Sequence, residues 1–173
     1  MHFMEVIETP ATPAAAFSFL TDFENLRAWD PSVVRVERRT AGPIAVGTRF
    51  RVTLRFLGVE SVLDYRVEHY EPNRRAVLVG TAAMVAATDT VLVESRRGGC
   101  RVTWDADIRF AFPLSVLDPV LAWSFASSVG AAIANLRRAL GDLPRQTAAN
   151  RAGAPPRRRR ARGVSRARVG RAS

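Results

Sequence analysis

The sequence predicts an α+β domain: an antiparallel β-sheet with one apolar and one solvated face, and a long C-terminal α-helix covering the apolar face. Three observations carry this. From Val33 to Phe110 apolar residues recur with period 2, interrupted at turn residues. Between Leu114 and Leu140 they recur at helical spacing instead. The charge of the 173-residue chain also divides at Pro144. The net charge is +10, yet residues 1–143 contain 16 Arg and all 16 acidic residues. Residues 1–143 therefore form a neutral unit large enough for one core. The basic excess belongs to residues 144–173.

Residues 2–9 alternate well enough for a first strand. Thr12 followed by Pro13 reads as a helix N-cap with proline at the first helical position. A short helix over 14–20 follows, closed by Thr21-Asp22. A second helical turn over 23–29 ends before Asp30-Pro31. Five or six strands are then expected, near 33–40, 48–56, 60–70, 75–81, 84–94 and 100–110. The breaks are Ala41-Gly42-Pro43, Gly47, Gly58, Glu71-Pro72-Asn73 and Arg97-Gly98-Gly99. Such short connections make neighbouring strands antiparallel.

Alternation assigns the faces. Phe50, Val52, Leu54 and Phe56 share one side, with Arg49, Arg51, Thr53 and Arg55 on the other. Leu63, Tyr65 and Val67 oppose Asp64, Arg66 and Glu68. Val102, Trp104, Ala106, Ile108 and Phe110 oppose Arg101, Thr103, Asp105, Asp107 and Arg109. The cover is expected to start at Asp118-Pro119, carry Leu121, Phe125, Ser128, Ala132, Leu136 and Leu140 inward, and end at Gly141. Arg137 and Arg138 would then complement the dipole of its last turn. The stretch from Pro119 to Leu136 has no charge, which leaves a membrane-embedded or interfacial helix as the alternative.

Cys100 is the only cysteine, so no intrachain disulfide can form. A free thiol and a start without a basic, then apolar, leader point to the cytoplasm. No Gly-rich phosphate loop is present, and His2 and His69 are the only histidines. No cofactor and no metal are expected.

The order of elements, with particular residues, resembles the helix-grip fold. The signposts are Glu8-Thr9-Pro10 with Pro13, Leu20-Thr21-Asp22, Trp29-Asp30-Pro31, Gly47-Thr48-Arg49-Phe50, Glu71-Pro72-Asn73-Arg74 and Cys100-Arg101-Val102-Thr103-Trp104. Over residues 2–141 the chain is similar to the SRPBCC/START-like (Bet v 1-like) superfamily, in its polyketide cyclase/dehydrase and lipid-transport branch. The resemblance implies a curved sheet wrapped around the long helix, with an apolar cavity between them. It implies a small apolar ligand or lipid as partner, or alternatively a cyclase/aromatase-type reaction. It carries over no catalytic residue.

The cavity-lining candidates are Phe50, Val52, Leu54, Leu63, Tyr65, Val67, His69, Val102, Trp104 and Ile108 from the strands, with Leu121, Phe125 and Ser128 from the helix. Tyr65, His69 and Trp104 are the inward polar groups on this reading. Tyr65 and Trp104 more often read as core rings with one hydrogen bond at the rim, and His69 as a structural or exposed residue at a strand end. Trp29 either lines the cavity mouth or anchors the short helix. Asp105 and Asp107 read as salt partners of Arg101 and Arg109.

Residues 144–173 contain too few large apolar side chains for a core and are expected to be disordered. Arg157, Arg158, Arg159, Arg160 and Arg162 could contact nucleic-acid phosphates or anionic lipid. Arg without Lys, among Ala, Gly and Pro, is also the mark of compositional drift. The oligomeric state is not legible.

Overall fold

The computed structural model describes residues 1–56, 58–111 and 118–145, with the backbone alone at 56 and 118–127. The elements are β1 (His2–Thr9), α1 (Pro13–Thr21), a 3₁₀ helix (Phe23–Ala28), β2 (Val33–Arg38), β3 (Arg49–Phe56), β4 (Val59–Glu71), β5 (Arg75–Thr81), β6 (Val85–Arg96), β7 (Gly99–Phe110) and α2 (Asp118–Asp142). The seven strands form one antiparallel sheet in the order β1-β7-β6-β5-β4-β3-β2. Consecutive strands from β2 to β7 are neighbours, as their short connections require. The first strand crosses over to pair with the last. The order and the C-terminal helix are those of the helix-grip fold.

The start of α1 follows its local chemistry. Thr12 Oγ1 accepts the Ala15 N–H at 3.2 Å, and Pro13 occupies the first turn. Asp22 ends α1 and caps the 3₁₀ helix, its carboxylate accepting the Glu24 N–H at 3.2 Å.

The alternation sorts the faces as expected. Phe50, Val52, Leu63, Val67, Ala76, Leu78, Val91 and Val102 are buried beneath α1 and α2. The outer face carries cross-strand ion pairs between register partners. Arg51 forks onto Asp64 at 2.8 and 3.1 Å, and Arg101 meets Glu8 at 2.7 Å. Arg109 pairs with Asp107 at 2.7 Å, whereas Asp105 takes His2 at 3.0 Å rather than an arginine. Exposed pairs of this kind are screened by solvent and add little to stability.

The helix α2 buries Ala132, Leu136 and Leu140 against the sheet, one turn apart. It runs through Gly141 to Asp142, so Arg137 and Arg138 fall before the last turn and do not face its carbonyls. Arg137 pairs with Glu5 of β1, and Arg138 bonds the Asn135 side chain at 2.5 Å. Thr9 ties the helix end to the sheet: its buried hydroxyl donates to Leu140 O at 2.9 Å. The chain stays against the domain past the helix, with Thr12 N–H donating to Pro144 O at 3.0 Å and Ala11 bridging Arg145. The basic cluster from Arg157 to Arg162 lies outside the described residues. Among the described residues no helix is long and apolar enough to cross a membrane.

Candidate functional site

Between the sheet and α2 lies a cavity of about 110 Å³. The rim of short helices supplies Leu20, Phe23, Leu26 and Trp29, and the segment into β2 supplies Asp30, Ser32 and Val33. The sheet floor contributes Phe3 from β1, Val52 and Leu54 from β3, Tyr65 from β4, and Ala87 and Asp89 from β6. Trp104, Ala106 and Ile108 come from β7, and Ser128 and Val129 from α2. Two alanines at floor positions, Ala87 and Ala106, leave the space that larger residues would fill.

The wall is aromatic and apolar apart from two carboxyl groups and their partners. Trp29 and Trp104 meet edge to face with centroids 5.7 Å apart. Phe23 and Tyr65 meet edge to face with centroids 4.9 Å apart. The Trp29 carbonyl accepts the Asn135 side-chain N–H at 3.0 Å, which fixes this rim segment to α2. Asp89 is 7% exposed. It accepts hydrogen bonds from the Tyr65 hydroxyl and the Trp104 indole N–H. Burial first, with the Asp30 and Asp105 charges behind it, raises its carboxyl from 3.8 to about 7 against the lowering effect of those two donors. Tyr65 is raised well above its ordinary value, by burial first and then by the neighbouring Asp89 charge. The Asp30 carboxyl is also raised by burial, against hydrogen bonds from Ser32 N–H at 2.9 Å and Ser32 Oγ at 2.7 Å.

Of the residues singled out by sequence, Val52, Leu54, Tyr65, Trp104, Ile108 and Ser128 line the cavity. Phe50, Leu63, Val67 and Val102 face the same way but are packed into the core away from it. The side chains of Leu121 and Phe125 lie outside the described residues. His69 does not face inward. The β4–β5 register slips between Val67 and His69, so one extra residue, Glu68, enters β4. The slip turns Tyr70 toward the core, where its ring meets Phe17 at 5.3 Å. His69 is left outside, 2.8 Å from Glu71. Trp29 does both things its position allowed, lining the cavity and anchoring the rim.

Sequence reasoning missed Asp89 and Asp30. For Asp89 a signal existed: period 2 along β6 places it with Ala87, Val91 and Val93, all buried. Among the described residues no three His, Cys, Asp or Glu side chains converge as a metal site.

The family model described as polyketide cyclase / dehydrase and lipid transport matches residues 1–141. No curated protein matches the sequence. Solved structures share the fold. The protein TTHA0849 from Thermus thermophilus has a TM-score of 0.67 at 15% identity, covering 81% of this chain and 97% of its own. A START superfamily protein from Mycobacterium smegmatis has 0.63 at 13% identity, covering 80% and 96%. The di-domain ARO/CYC BexL, from the BE-7585A biosynthetic pathway, has 0.62 at 13% identity, covering 83% of this chain and 51% of its own.

Proposed function

The chain belongs to the polyketide cyclase/dehydrase and lipid transport family, and from that premise we propose that it binds a small apolar molecule between its sheet and its C-terminal helix. The observation that carries this reading is an apolar cavity with one buried polar cluster, Asp89, Tyr65 and Trp104, on its wall. Apolar walls supply affinity, and a few fixed polar groups orient the guest. The volume of about 110 Å³ is below the roughly 300–1,000 Å³ of typical small-molecule sites. It suits a single ring, or one end of a longer molecule whose remainder lies toward the opening.

Native mass spectrometry before and after solvent extraction, together with displacement of an environment-sensitive dye, tests the reading. Ala106→Leu adds bulk at the cavity floor and should weaken dye binding at least about tenfold, roughly 1.4 kcal/mol. Enlarging Val102 would strain the core instead, since that residue is fully buried away from the cavity. Dye binding unaltered by Ala106→Leu would sink the proposal.

A second reading is cyclase-type proton transfer. It is favoured by the Asp89 carboxyl at about 7, near neutrality and hydrogen-bonded to Tyr65. One structural relative is named an ARO/CYC. Turnover of a poly-keto substrate that is lost in both Asp89→Asn and Tyr65→Phe would support it; turnover retained in both would remove these groups from the chemistry.

A further inference from the structure

The polar groups of the cavity are of one sign. Asp89 and Asp30 are on its wall, and among the described residues no Arg or His is; the sequence contains no Lys. Asp89 is bonded by two donors, Tyr65 and Trp104. A carboxylate offers about four lone-pair sites, so these two donors use half of its accepting capacity. Because both neighbours donate, the group is arranged as an acceptor. The other charges that reach it are acidic as well: Asp30 on the rim and Asp105 on β7, the latter held by His2 on the outer face. Trp104, which bonds it, meets Trp29 edge to face, and both rings line the cavity.

An ionised Asp89 thus has no cationic partner among the described wall residues. A guest with its own carboxylate would add a like charge to a desolvated site, which is strongly unfavourable. A guest cation would supply the missing counter-charge, and tryptophan faces favour cations too.

We propose that the ligand of this cavity carries a protonated amine on a compact apolar body, with Asp89 as its counter-ion. The proposal rests on the cavity reading above and narrows its ligand class. Its pH dependence follows from the wall. Above about pH 7, where Asp89 is mostly ionised in the empty cavity, the ammonium group meets an anion. At lower pH, binding must first expel the carboxyl proton, and affinity falls. Asp30, the other titratable carboxyl on the wall, is raised by burial and works in the same sense, whereas Tyr65 stays neutral and adds no pH dependence here.

Four probes of nearly one size separate the possibilities: toluene, benzyl alcohol, benzylamine and benzoate, followed by quenching of tryptophan fluorescence. Benzylamine should bind at least about tenfold more tightly than toluene or benzyl alcohol at about pH 8, with benzoate weakest. That preference should shrink by about tenfold at about pH 5.5, and Asp89→Asn should abolish it while leaving toluene binding in place. If Asp89→Asn does not fold, the pH profile of the unaltered protein decides the matter. Benzylamine binding no tighter than toluene, or a preference indifferent to pH and to Asp89→Asn, overturns the amine while toluene binding keeps the cavity reading intact. Binding of none of the four overturns both.

Discussion

The ring of Tyr65 lies across Gly80. The two residues are register partners on β4 and β5, and a Cβ built on the glycine would stand 2.6 Å from Tyr65 Cζ. Real Cβ atoms essentially never come so close, so any larger residue at position 80 must displace the ring. β5 separates β4 from β6, and Asp89 is on β6. By passing over Gly80, the Tyr65 hydroxyl reaches a carboxylate two strands away. The absence of a side chain at one strand position thus sets the polar cluster of the cavity.

Gly80→Ala should therefore damage stability and site together. The methyl group forces the ring off its seat, an overpacking cost of about 1–3 kcal/mol, and the Asp89 hydrogen bond is strained or lost. For a domain of this size that lowers Tm by roughly 3–10 °C. Near-UV circular dichroism should report the moved tyrosine. Unaltered Tm and near-UV signal would mean that the ring has another comfortable position.

The burial of Asp89 makes stability depend on pH. Its folded carboxyl is raised from 3.8 to about 7, so between those values the folded state holds a proton that the unfolded chain has released. Stability must then fall as pH rises through this window, by up to about 1.4 kcal/mol per pH unit for such a group. Asp30 is raised too and adds in the same direction. The lowered, exposed carboxylates of Asp64 and Glu71 act in the opposite sense, but only at and below the acid edge of this window and screened by solvent. Asp89→Asn removes the penalty. It should be no more stable than the parent near about pH 4 and clearly more stable near about pH 8, as read by Tm across pH. Parallel pH profiles for the two proteins would contradict the assignment.

Much of this architecture is legible in the sequence because it depends on local chemistry. Thr12 before Pro13 caps α1, and the strict alternation at Phe50, Val52, Leu63, Tyr65 and Val67 puts five residues on the inner face, where all are buried. His69 shows where the rule stops. Alternation holds only while the ladder is regular, and Glu68 enters β4 as an extra residue. Nothing in the run Val67-Glu68-His69-Tyr70 marks the slip, since a ring residue stands both where regular alternation points inward and one position later. Asp89 was obscured differently: the opposite side of β6 carries Ala86, Thr88, Thr90 and Leu92, too similar in polarity for the face to stand out. Which inward side chains line a cavity, rather than fill a core, depends on Ala87 and Ala106 facing the rim helices, a pairing of distant segments that periodicity does not contain.

The junction of β1 and α2 rests on Thr9. Its buried hydroxyl donates to Leu140 O at 2.9 Å and accepts the Ala11 N–H at 3.3 Å. Thr9→Val keeps the shape and removes both bonds, leaving a buried carbonyl and amide without this partner. The expected cost is about 1–3 kcal/mol. Urea denaturation should show the loss in midpoint with an unaltered slope. Gly99→Ala should do worse at the same junction, because its Cβ would stand 2.0 Å from the Thr9 carbonyl oxygen, a backbone atom that cannot rotate away.

Asn135 links the helix to the cavity rim, and its removal should affect motion more than mean stability. Its side-chain N–H donates to the Trp29 carbonyl at 3.0 Å. Trp29 in turn leans on Trp104, which bonds Asp89. Asn135→Ala frees that carbonyl and costs about 0.5–1.5 kcal/mol globally. Locally it releases the Trp29 segment of the rim from α2, so the rim should open more often. Amide exchange around Trp29 should accelerate several-fold while the β6 and β7 strands keep their protection. A cavity-bound dye should also enter and leave faster, with rate constants raised together and affinity nearly constant. Faster exchange spread evenly over the sheet would instead mean that Asn135 serves global stability and that the rim has no opening of its own.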